Sequence, residues 1–331
     1  MDDRAGLHAI CVRAGWHVTI TRSNLIAGLD AECIAEAPIG PLTWYGIGGR
    51  ADMLVSPHTL EAAVELVRRC RHAEVAIRML GGGANLLVDD DGVDGVVLRL
   101  DQPCFRDIEF NRTGSVTAAR IGGGVDLFGL VTELARRGLR GFEHMAGIPG
   151  TIGGAVRMNA GGSGGDVSGA LDSVEMILLD GTRRTFNADA IEFRYRGSTL
   201  PEGLVTSAVL HLQEDDPVDV RQRVKEFFAA KKAGQPMADH SAGCAFRNPV
   251  DPVTGNQVPA GRIIDEVGLK GLAHGGARVS DRHANFIVVE PGASSRDVQS
   301  LMATIRSRVA ASTGIQLERE VVIWSKHNPL Q

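Results

Sequence analysis

Residues 141–162 read Gly-Phe-Glu-His-Met-Ala-Gly-Ile-Pro-Gly-Thr-Ile-Gly-Gly-Ala-Val-Arg-Met-Asn-Ala-Gly-Gly, and no other stretch says as much about the architecture. Glycine has no Cβ, so such a backbone can approach a ligand closely and turn its N–H groups toward it. Apolar residues interleave with the glycines, which predicts a buried segment: Ile148, Ile152, Val156 and Met158. Buried N–H groups need acceptors, which a pyrophosphate can supply. Tight turns in a packed core are the alternative interpretation.

The composition is that of an ordinary globular protein of 331 residues, 44% hydrophobic and 23% charged. A net charge of −5 and an aromatic content of 5% disfavour a nucleic-acid partner. No run reaches the ~18 apolar residues that a membrane span needs, and the first residues lack the regions of a signal peptide. Five scattered cysteines form no metal-ligand spacing. We therefore expect a cytoplasmic protein with small-molecule partners, reduced thiols and no metal site.

Residues 1–36 carry little pattern and are predicted to form an N-terminal extension. Beyond them, apolar periodicity predicts helices over 59–71, 126–137, 218–232 and 295–312. Apolar or alternating runs predict strands over 75–80, 116–121, 285–289 (the strand-like core of 279–289) and 315–323. The change of pattern predicts a second α+β domain from about 213 onward.

Triple glycines follow two of these strands, at 81–83 and at 122–124. The repeated arrangement suggests two loops that converge on one ligand. A plain β-turn explains either triple glycine equally well.

Seven segments, taken in order, resemble one family, the UDP-N-acetylenolpyruvoylglucosamine reductases (MurB family). They are YGIGG (45–49), LGGGANLLV (80–88), AGIPGTIGGAV (146–156), MNAG (158–161), YRGS (195–198), GCAFRNP (243–249) and LEREV (317–321). No long insertion lies between Ser198 and Lys232, which resembles the shorter, second type of the family.

The resemblance implies an α+β fold with a two-part FAD-binding domain of the FAD-linked oxidase type (vanillyl-alcohol-oxidase-like). This domain would cover 37–212, with its subdomains divided near 100, and a C-terminal α+β substrate-binding domain would cover 213–331. The resemblance also implies non-covalent FAD, NADPH as hydride source and UDP-N-acetylglucosamine enolpyruvyl ether as substrate, in peptidoglycan precursor synthesis. We expect a monomer or a weak dimer.

The FAD-binding positions that the resemblance implies lie in the two glycine-rich stretches. They are Gly81, Gly82, Gly83, Ala84, Asn85, Leu86, Gly147, Ile148, Pro149, Gly150, Thr151, Gly153, Gly154, Ala155, Asn159 and Gly161. The amide of Asn85 could contact the cofactor or brace its own loop, and the sequence does not distinguish these roles.

Hydride addition at C3 of an enolpyruvyl ether pushes charge toward the carboxylate, so fixed positive charge or donors must face it. Arg196 suits this role because a guanidinium pairs bidentately with a carboxylate. Glu320 matches the family's active-site glutamate and would hydrogen-bond a carboxyl oxygen or hold Arg196. On a strand Glu318 and Glu320 share one face, so alternation does not choose between them, and two exposed acids remain the alternative.

Cys244 stands where the family usually has the serine that protonates C2. A thiol, with a reference pKa of about 8.5, is a far stronger acid than an alcohol. Cys244 is therefore predicted to be the proton donor and to be open to oxidation where its thiolate forms. The alternative is that it only fills a small site.

Tyr195 and Asn248 are predicted to position the substrate, and Arg247 to meet a phosphate or to lie on the surface. The chain departs from the family pattern in three places. Residues 162–164 lack the usual aromatic, and Gly197 replaces an acid after Arg196. A third departure is Gly234 in place of a basic residue, which leaves Lys231 or Lys232 to supply that charge.

Two other functions compete with the reductase. One is an oxidase or dehydrogenase of the same FAD-linked superfamily, which needs no proton donor at C2. The other is a non-enzymatic nucleotide-binding protein. Arg196, Cys244 and Glu320 together favour the reductase.

Overall fold

The computed structural model describes residues 22–162, 164–251 and 255–326. These residues pack as two compact units, each made from separate stretches of chain. Unit 1 contains the described residues up to Ala37, together with Asp52–Gly81 and Gly95–Val224. Unit 2 contains Pro38–Ala51, Gly82–Asp94 and residues 225–326. The domain limits predicted from the sequence, at 37 and 213 with a division near 100, stay predictions.

Within the described residues the helices are α1 (Arg22–Ile26), α2 (Leu60–His72), α3 (Leu127–Arg137), α4 (Ile152–Arg157), α5 (Pro217–Gly234), α6 (Ala260–Glu266) and α7 (Ser295–Thr313). The strands are β1 (Ala31–Pro38), β2 (Arg50–Pro57), β3 (Ile77–Leu80), β4 (Leu86–Val88), β5 (Val93–Arg99), β6 (Ile108–Thr113), β7 (Val116–Gly122), β8 (Leu139–Arg140), β9 (Gly161–Gly162), β10 (Gly165–Asp166), β11 (Leu171–Leu178), β12 (Arg183–Asn187), β13 (Phe193–Arg194), β14 (Gly197–Ser198), β15 (Gly203–Glu214), β16 (Ala273–His274), β17 (Ala277–Val279), β18 (Ile287–Val289) and β19 (Val322–Trp324).

The first sheet of unit 1 has the strand order β1-β2-β5-β3, with β3 and β5 parallel. Helix α2 begins where predicted, because the Thr59 side chain accepts a hydrogen bond from the N–H of Ala62. Its apolar face joins one core with the strands, including Val67, Val55 and Leu98. Residues 1–21 of the predicted extension lie outside the described residues, and residues 22–36 supply α1 and most of β1.

The second sheet of unit 1 is antiparallel, with the order β12-β11-β15-β7-β6 and with β8 paired to β15. Helix α3 is capped by Asp126 at its start, and Gly138 ends it in the left-handed conformation. Helix α4 packs against β15 and β7. Because α4 belongs to the glycine-rich segment 141–162, these contacts hold the segment against the second sheet.

Unit 2 contains the antiparallel sheet β16-β17-β18, helices α6 and α7, and the parallel pair β4–β19. Helix α7 buries the predicted face: Val298, Leu301, Met302, Ile305 and Val309. The strand predicted over 315–323 is wrong in length, because only Val322–Trp324 pairs as β19. The strand predicted over 285–289 is present in its last three residues, which form β18. No described helix has the length and apolar character needed to cross a bilayer.

Candidate active site

The glycine-rich segment of unit 1 turns sharply at three positions with positive φ: Gly147 (75°), Gly150 (126°) and Asn159 (42°). Ile152 and Val156 are fully buried, as predicted, whereas Ile148 and Met158 are only half-buried. Gly81 lies directly against this segment, since a Cβ added there would be 2.9 Å from Oγ1 of Thr151. The structure therefore brings Gly81 to the segment predicted to bind FAD.

Each unit carries backbone N–H groups that have no hydrogen-bond acceptor among the described residues. They belong to Gly147, Gly150 and Thr151 in unit 1 and to Gly82, Gly83 and Ala84 in unit 2. Gly83 is buried, and a Cβ there would clash with the carbonyl oxygen of Leu42. Buried N–H groups require acceptors, and a cofactor diphosphate provides them. Each loop, taken by itself, therefore offers donors of the kind that a phosphate accepts from, and FAD binding by these residues stays a prediction.

The second triple glycine does not offer its N–H groups to a ligand. Gly122, Gly123 and Gly124 donate to the carbonyls of Asp107 (2.9 Å), Thr206 (2.7 Å) and Phe105 (2.9 Å). Any Cβ there would clash with a backbone carbonyl oxygen. The expectation of two triple-glycine loops converging on one ligand is thus wrong for this loop. The loop instead braces the main segment, because the Gly123 carbonyl accepts from the N–H of Gly153 at 2.8 Å.

Asn159 is buried, and its side chain is hydrogen-bonded within unit 1. Its Nδ2 donates to Oδ2 of Asp166 (3.1 Å) and to the carbonyl of Arg194 (3.2 Å). Its Oδ1 accepts from the N–H of Ser168 at 3.4 Å. A contact between Asn159 and FAD stays a prediction, and the structure adds a bracing role.

Arg196 lies at the tip of a hairpin in unit 1. Strands β13 and β14 pair so that Tyr195 and Arg196 are the two turn residues. Arg196 has a φ of 56°, which a non-glycine residue rarely adopts and which costs of order 1–3 kcal/mol. Its guanidinium carbon lies 5.0 Å from the centre of the Tyr195 ring. Strained backbone conformations of this kind are typical of functional sites, and here the strained residue is the arginine predicted to bind the substrate carboxylate.

Cys244 and Glu320 lie on adjoining backbone segments of unit 2. The N–H of Glu320 donates to the carbonyl of Ala245 at 2.9 Å, and Arg247 N–H donates to the carbonyl of Glu318 at 2.8 Å. Cys244 is half-buried and Glu320 is 8% exposed. The structure therefore places the backbones of the predicted proton donor and the predicted glutamate on adjoining segments.

Glu318 and Glu320 differ in burial, and they do not lie in the continuous strand that was predicted. Only one bridge, between Phe246 and Arg319, forms there. Glu318 is exposed and Glu320 is buried. The structure therefore distinguishes the two acids where alternation does not.

Asn85 braces the segment that carries Glu320. Its Nδ2 donates to the carbonyl of Glu320 at 3.1 Å, and its own carbonyl accepts from Val322 N–H at 3.1 Å. Of the two roles left open by the sequence, the structure shows the bracing one. The adjacent Leu86 belongs to β4, which pairs with β19.

The remaining predicted site residues lie in both units. Asn248 Oδ1 accepts from Ala260 N–H at 2.9 Å, so its side chain holds the first turn of α6. Arg247 is half-buried, and Tyr195 in unit 1 is 42% exposed. Ser163, within the stretch that lacks the family's aromatic, lies outside the described residues. The described residues contain no group of three His, Cys, Asp or Glu side chains that could hold a metal ion.

Asn285 was missed at the sequence level. It is 2% exposed and makes hydrogen bonds to both polar groups of the Phe246 backbone, next to Cys244. The available signal was a polar residue inside the apolar run 284–289.

Comparison with known proteins identifies both parts of the chain. Residues 51–187 match the family described as FAD binding domain, and residues 235–324 match the UDP-N-acetylenolpyruvoylglucosamine reductase C-terminal domain. These matches confirm the predicted fold class, a FAD-binding domain followed by a C-terminal domain of this family.

Several relatives resemble the chain over most of its length. The UDP-N-acetylenolpyruvoylglucosamine reductase of Acidiphilium cryptum is 36% identical over 94% of this chain and 95% of its own length. That of Bacillus subtilis is 35% identical over 88% of this chain and 94% of its own. The crystal structure of the Thermus caldophilus enzyme superposes with a TM-score of 0.74 at 37% identity, covering 90% of this chain and 100% of that one. The chain therefore belongs to the UDP-N-acetylenolpyruvoylglucosamine reductase (MurB) family of FAD-binding oxidoreductases.

Proposed function

We propose that this chain reduces UDP-N-acetylglucosamine enolpyruvyl ether to UDP-N-acetylmuramate with NADPH, in peptidoglycan precursor synthesis. The observation that carries the proposal is the 2.9 Å hydrogen bond from Glu320 N–H to the Ala245 carbonyl. It supports the proposal because it joins the backbone segment of Cys244 to that of Glu320, the two residues proposed to act on C2 and on the substrate carboxyl.

Bound FAD would supply the hydride chemistry between NADPH and C3 of the enolpyruvyl group. The N–H groups of Gly82, Gly83, Gly147 and Gly150 would hold its diphosphate. This proposal is supported by the finding that none of these N–H groups has a hydrogen-bond acceptor among the described residues. The remaining FAD-binding residues stay as predicted from the sequence.

Arg196 would bind the substrate carboxylate, on which negative charge develops as C3 gains the hydride. A guanidinium remains ionised at any working pH and offers paired donors. The hairpin holds the backbone of Arg196 in a strained conformation, and its guanidinium carbon lies 5.0 Å from the centre of the Tyr195 ring. Electrostatic stabilisation of this kind is worth most when the donors need no rearrangement.

Cys244 would give its Sγ proton to C2, which completes the saturated lactyl ether and leaves a thiolate that solvent reprotonates. The balance is one hydride from NADPH and one proton from water, passed through the thiol. Glu320 would hydrogen-bond a carboxyl oxygen of the substrate during this step. Its burial supports that role, since a desolvated carboxyl interacts more strongly than an exposed one.

Tyr195, Arg247 and Asn248 would position the sugar nucleotide. We further propose a cytoplasmic enzyme, monomeric or weakly dimeric, in which residues 213–331 provide most of the substrate contacts.

Anaerobic stopped-flow spectroscopy tests the proposal. NADPH should bleach the bound flavin, and the enolpyruvyl sugar nucleotide should then restore its colour under anaerobic conditions. A preparation that NADPH bleaches but that only oxygen recolours would contradict the proposal and favour an oxidase or dehydrogenase.

A further inference from the structure

The segment 244–247 is held from two sides in unit 2. On one side it meets the Glu318–Glu320 backbone through two hydrogen bonds, and on the other it meets Asn285 and Phe286. None of these contacts belongs to a regular strand, since Cys244–Phe286 and Phe246–Arg319 are isolated bridges. The position of Cys244 therefore depends on individual bonds.

Asn285 supplies most of the bonds on its side. Its backbone carbonyl accepts from Ala245 N–H at 2.7 Å. Its Oδ1 accepts from Phe246 N–H at 3.0 Å, and its Nδ2 donates to the Phe246 carbonyl at 2.8 Å. A side-chain amide carries the same donor and acceptor as a peptide group. The side chain of Asn285 thus pairs with the N–H and the carbonyl of Phe246, as a neighbouring strand would do in a regular sheet.

The environment of Asn285 makes these bonds strong and hard to replace. The residue is 2% exposed, and its own N–H donates to Nδ1 of His283 at 3.2 Å. Burial lowers the pKa of His283, so the ring stays neutral and accepts this bond. Buried donors and acceptors that lose their partners carry a full desolvation cost.

We propose that Asn285 is a positioning residue that sets Cys244 and Glu320 for proton delivery. The route is short: Asn285 fixes Ala245 and Phe246, Ala245 fixes the N–H of Glu320, and Cys244 precedes Ala245 directly. The inference rests on the proposed function for its chemistry. Displacement of a reacting group by about 1 Å can cost about 100-fold in rate.

Asn285→Leu keeps the approximate volume and removes both side-chain bonds. We expect flavin reoxidation by the enolpyruvyl substrate to fall about 100-fold, while flavin reduction by NADPH stays close to that of the wild type. Ile305→Ala is the matched control, because it perturbs the same core from α7 and leaves both side-chain bonds of Asn285 in place. It should lower thermal stability and leave both half-reactions unchanged.

The variant Asn285→Asp tests whether slower reoxidation comes from misplaced reacting groups or only from a less stable fold. A protonated carboxyl can accept from Phe246 N–H and donate to its carbonyl as the amide does, whereas an ionised carboxylate repels that carbonyl. The reoxidation rate of this variant, divided by that of the wild type at each pH, should therefore rise as the pH falls. Asn285→Leu should show no such recovery.

A readout independent of turnover is the alkylation of Cys244 by iodoacetamide, followed on its peptide by mass spectrometry. We expect Asn285→Leu to speed it relative to Ile305→Ala. Cys70 is an internal reference, since burial raises its pKa to about 12.

Equal slowing of both half-reactions, a flat pH ratio for Asn285→Asp, or Cys244 alkylation no faster than in Ile305→Ala would each overturn the inference. If wild-type flavin is not reoxidised by the substrate, the proposed function fails, and the alkylation result still decides whether Asn285 positions Cys244.

Discussion

Asn159 Nδ2 donates a hydrogen bond to the carbonyl of Arg194 at 3.2 Å, and this bond joins the glycine-rich segment to the hairpin that carries Arg196. In unit 2, Asn85 bonds in the same way to the carbonyl of Glu320 at 3.1 Å. Each unit thus ties a glycine-rich loop to a candidate site residue through one asparagine amide. The loops predicted to hold FAD therefore also support the residues predicted to act beside it.

Asn159→Gly tests the first of these ties. Glycine adopts a φ of 42° without strain, so the substitution removes the amide bonds alone. We expect a loss of about 1–3 kcal/mol in unfolding free energy, from the buried partners left unsatisfied. We also expect slower reoxidation of the flavin by the substrate, because the Arg196 hairpin loses a support. Thermal unfolding and anaerobic stopped-flow measure the two effects.

Glu74→Gly is the matched control for Asn159→Gly. Glu74 also has a positive φ, of 52°, but it is exposed. Relief of its strain should leave stability unchanged or raised and leave both half-reactions unaltered. The bracing role would be refuted if the two variants behaved alike.

Glu320→Gln should slow substrate-dependent reoxidation about 100-fold, in the range seen when one stabilising group is removed from a charged transition state. The reason is the burial of Glu320 beside the Cys244 segment. Glu318→Gln should have no effect, because that side chain is exposed. Single-turnover rates of the two variants give the comparison, and a larger loss for Glu318→Gln would reverse the assignment.

The sequence predicted those features of the fold that depend on residues close together in the chain, such as helix caps and the buried faces of helices. Helix α2 begins after its Thr59 cap, and α7 buries the face that its periodicity indicates. The fold class followed from the resemblance of seven ordered segments and not from periodicity. Cys244 and Glu320, both chosen by that resemblance, lie on adjoining segments.

The remaining features depend on partners far away in the sequence. The N–H groups of Gly122–Gly124 are used by distant carbonyls, which glycine content does not reveal. Glu318 and Glu320 differ in burial because only a single tertiary bridge forms at Arg319. Asn285 lies inside an apolar run, so its bonds to Phe246 appear only in three dimensions.

Cys244→Ala should leave flavin reduction by NADPH intact and slow reoxidation by the substrate about 10²–10⁴-fold, the usual worth of a general acid. Cys244→Ser should retain more activity than Cys244→Ala, since a hydroxyl can still pass a proton. Stopped-flow traces of each half-reaction separate the two steps. Equal rates for the alanine variant and the wild type would remove Cys244 from the mechanism.

The ion pair between Arg223 and Glu143 anchors the start of the glycine-rich segment, with Arg223 Nε 2.9 Å from Oε1 of Glu143. Burial raises the pKa of Glu143, but the N–H of Gly141 and the Arg223 guanidinium outweigh it, so the pKa lies below its ordinary value. Ionised Glu143 therefore stabilises the fold above its unfolded pKa of about 4.3, and this stabilisation is lost as the pH falls through the folded pKa.

Arg223→Met should consequently destabilise the protein by about 2 kcal/mol at pH 7 and by less at pH 4, because the buried Glu143 of the variant, which has lost its cation, is then more readily protonated. Urea unfolding at the two pH values measures this difference. Arg221→Met, an exposed arginine on the same helix, is the control and should change stability little at either pH. If both variants lost the same stability, or if the loss in Arg223→Met did not depend on pH, the segment would be anchored by its packing against β15 and β7 and not by this ion pair.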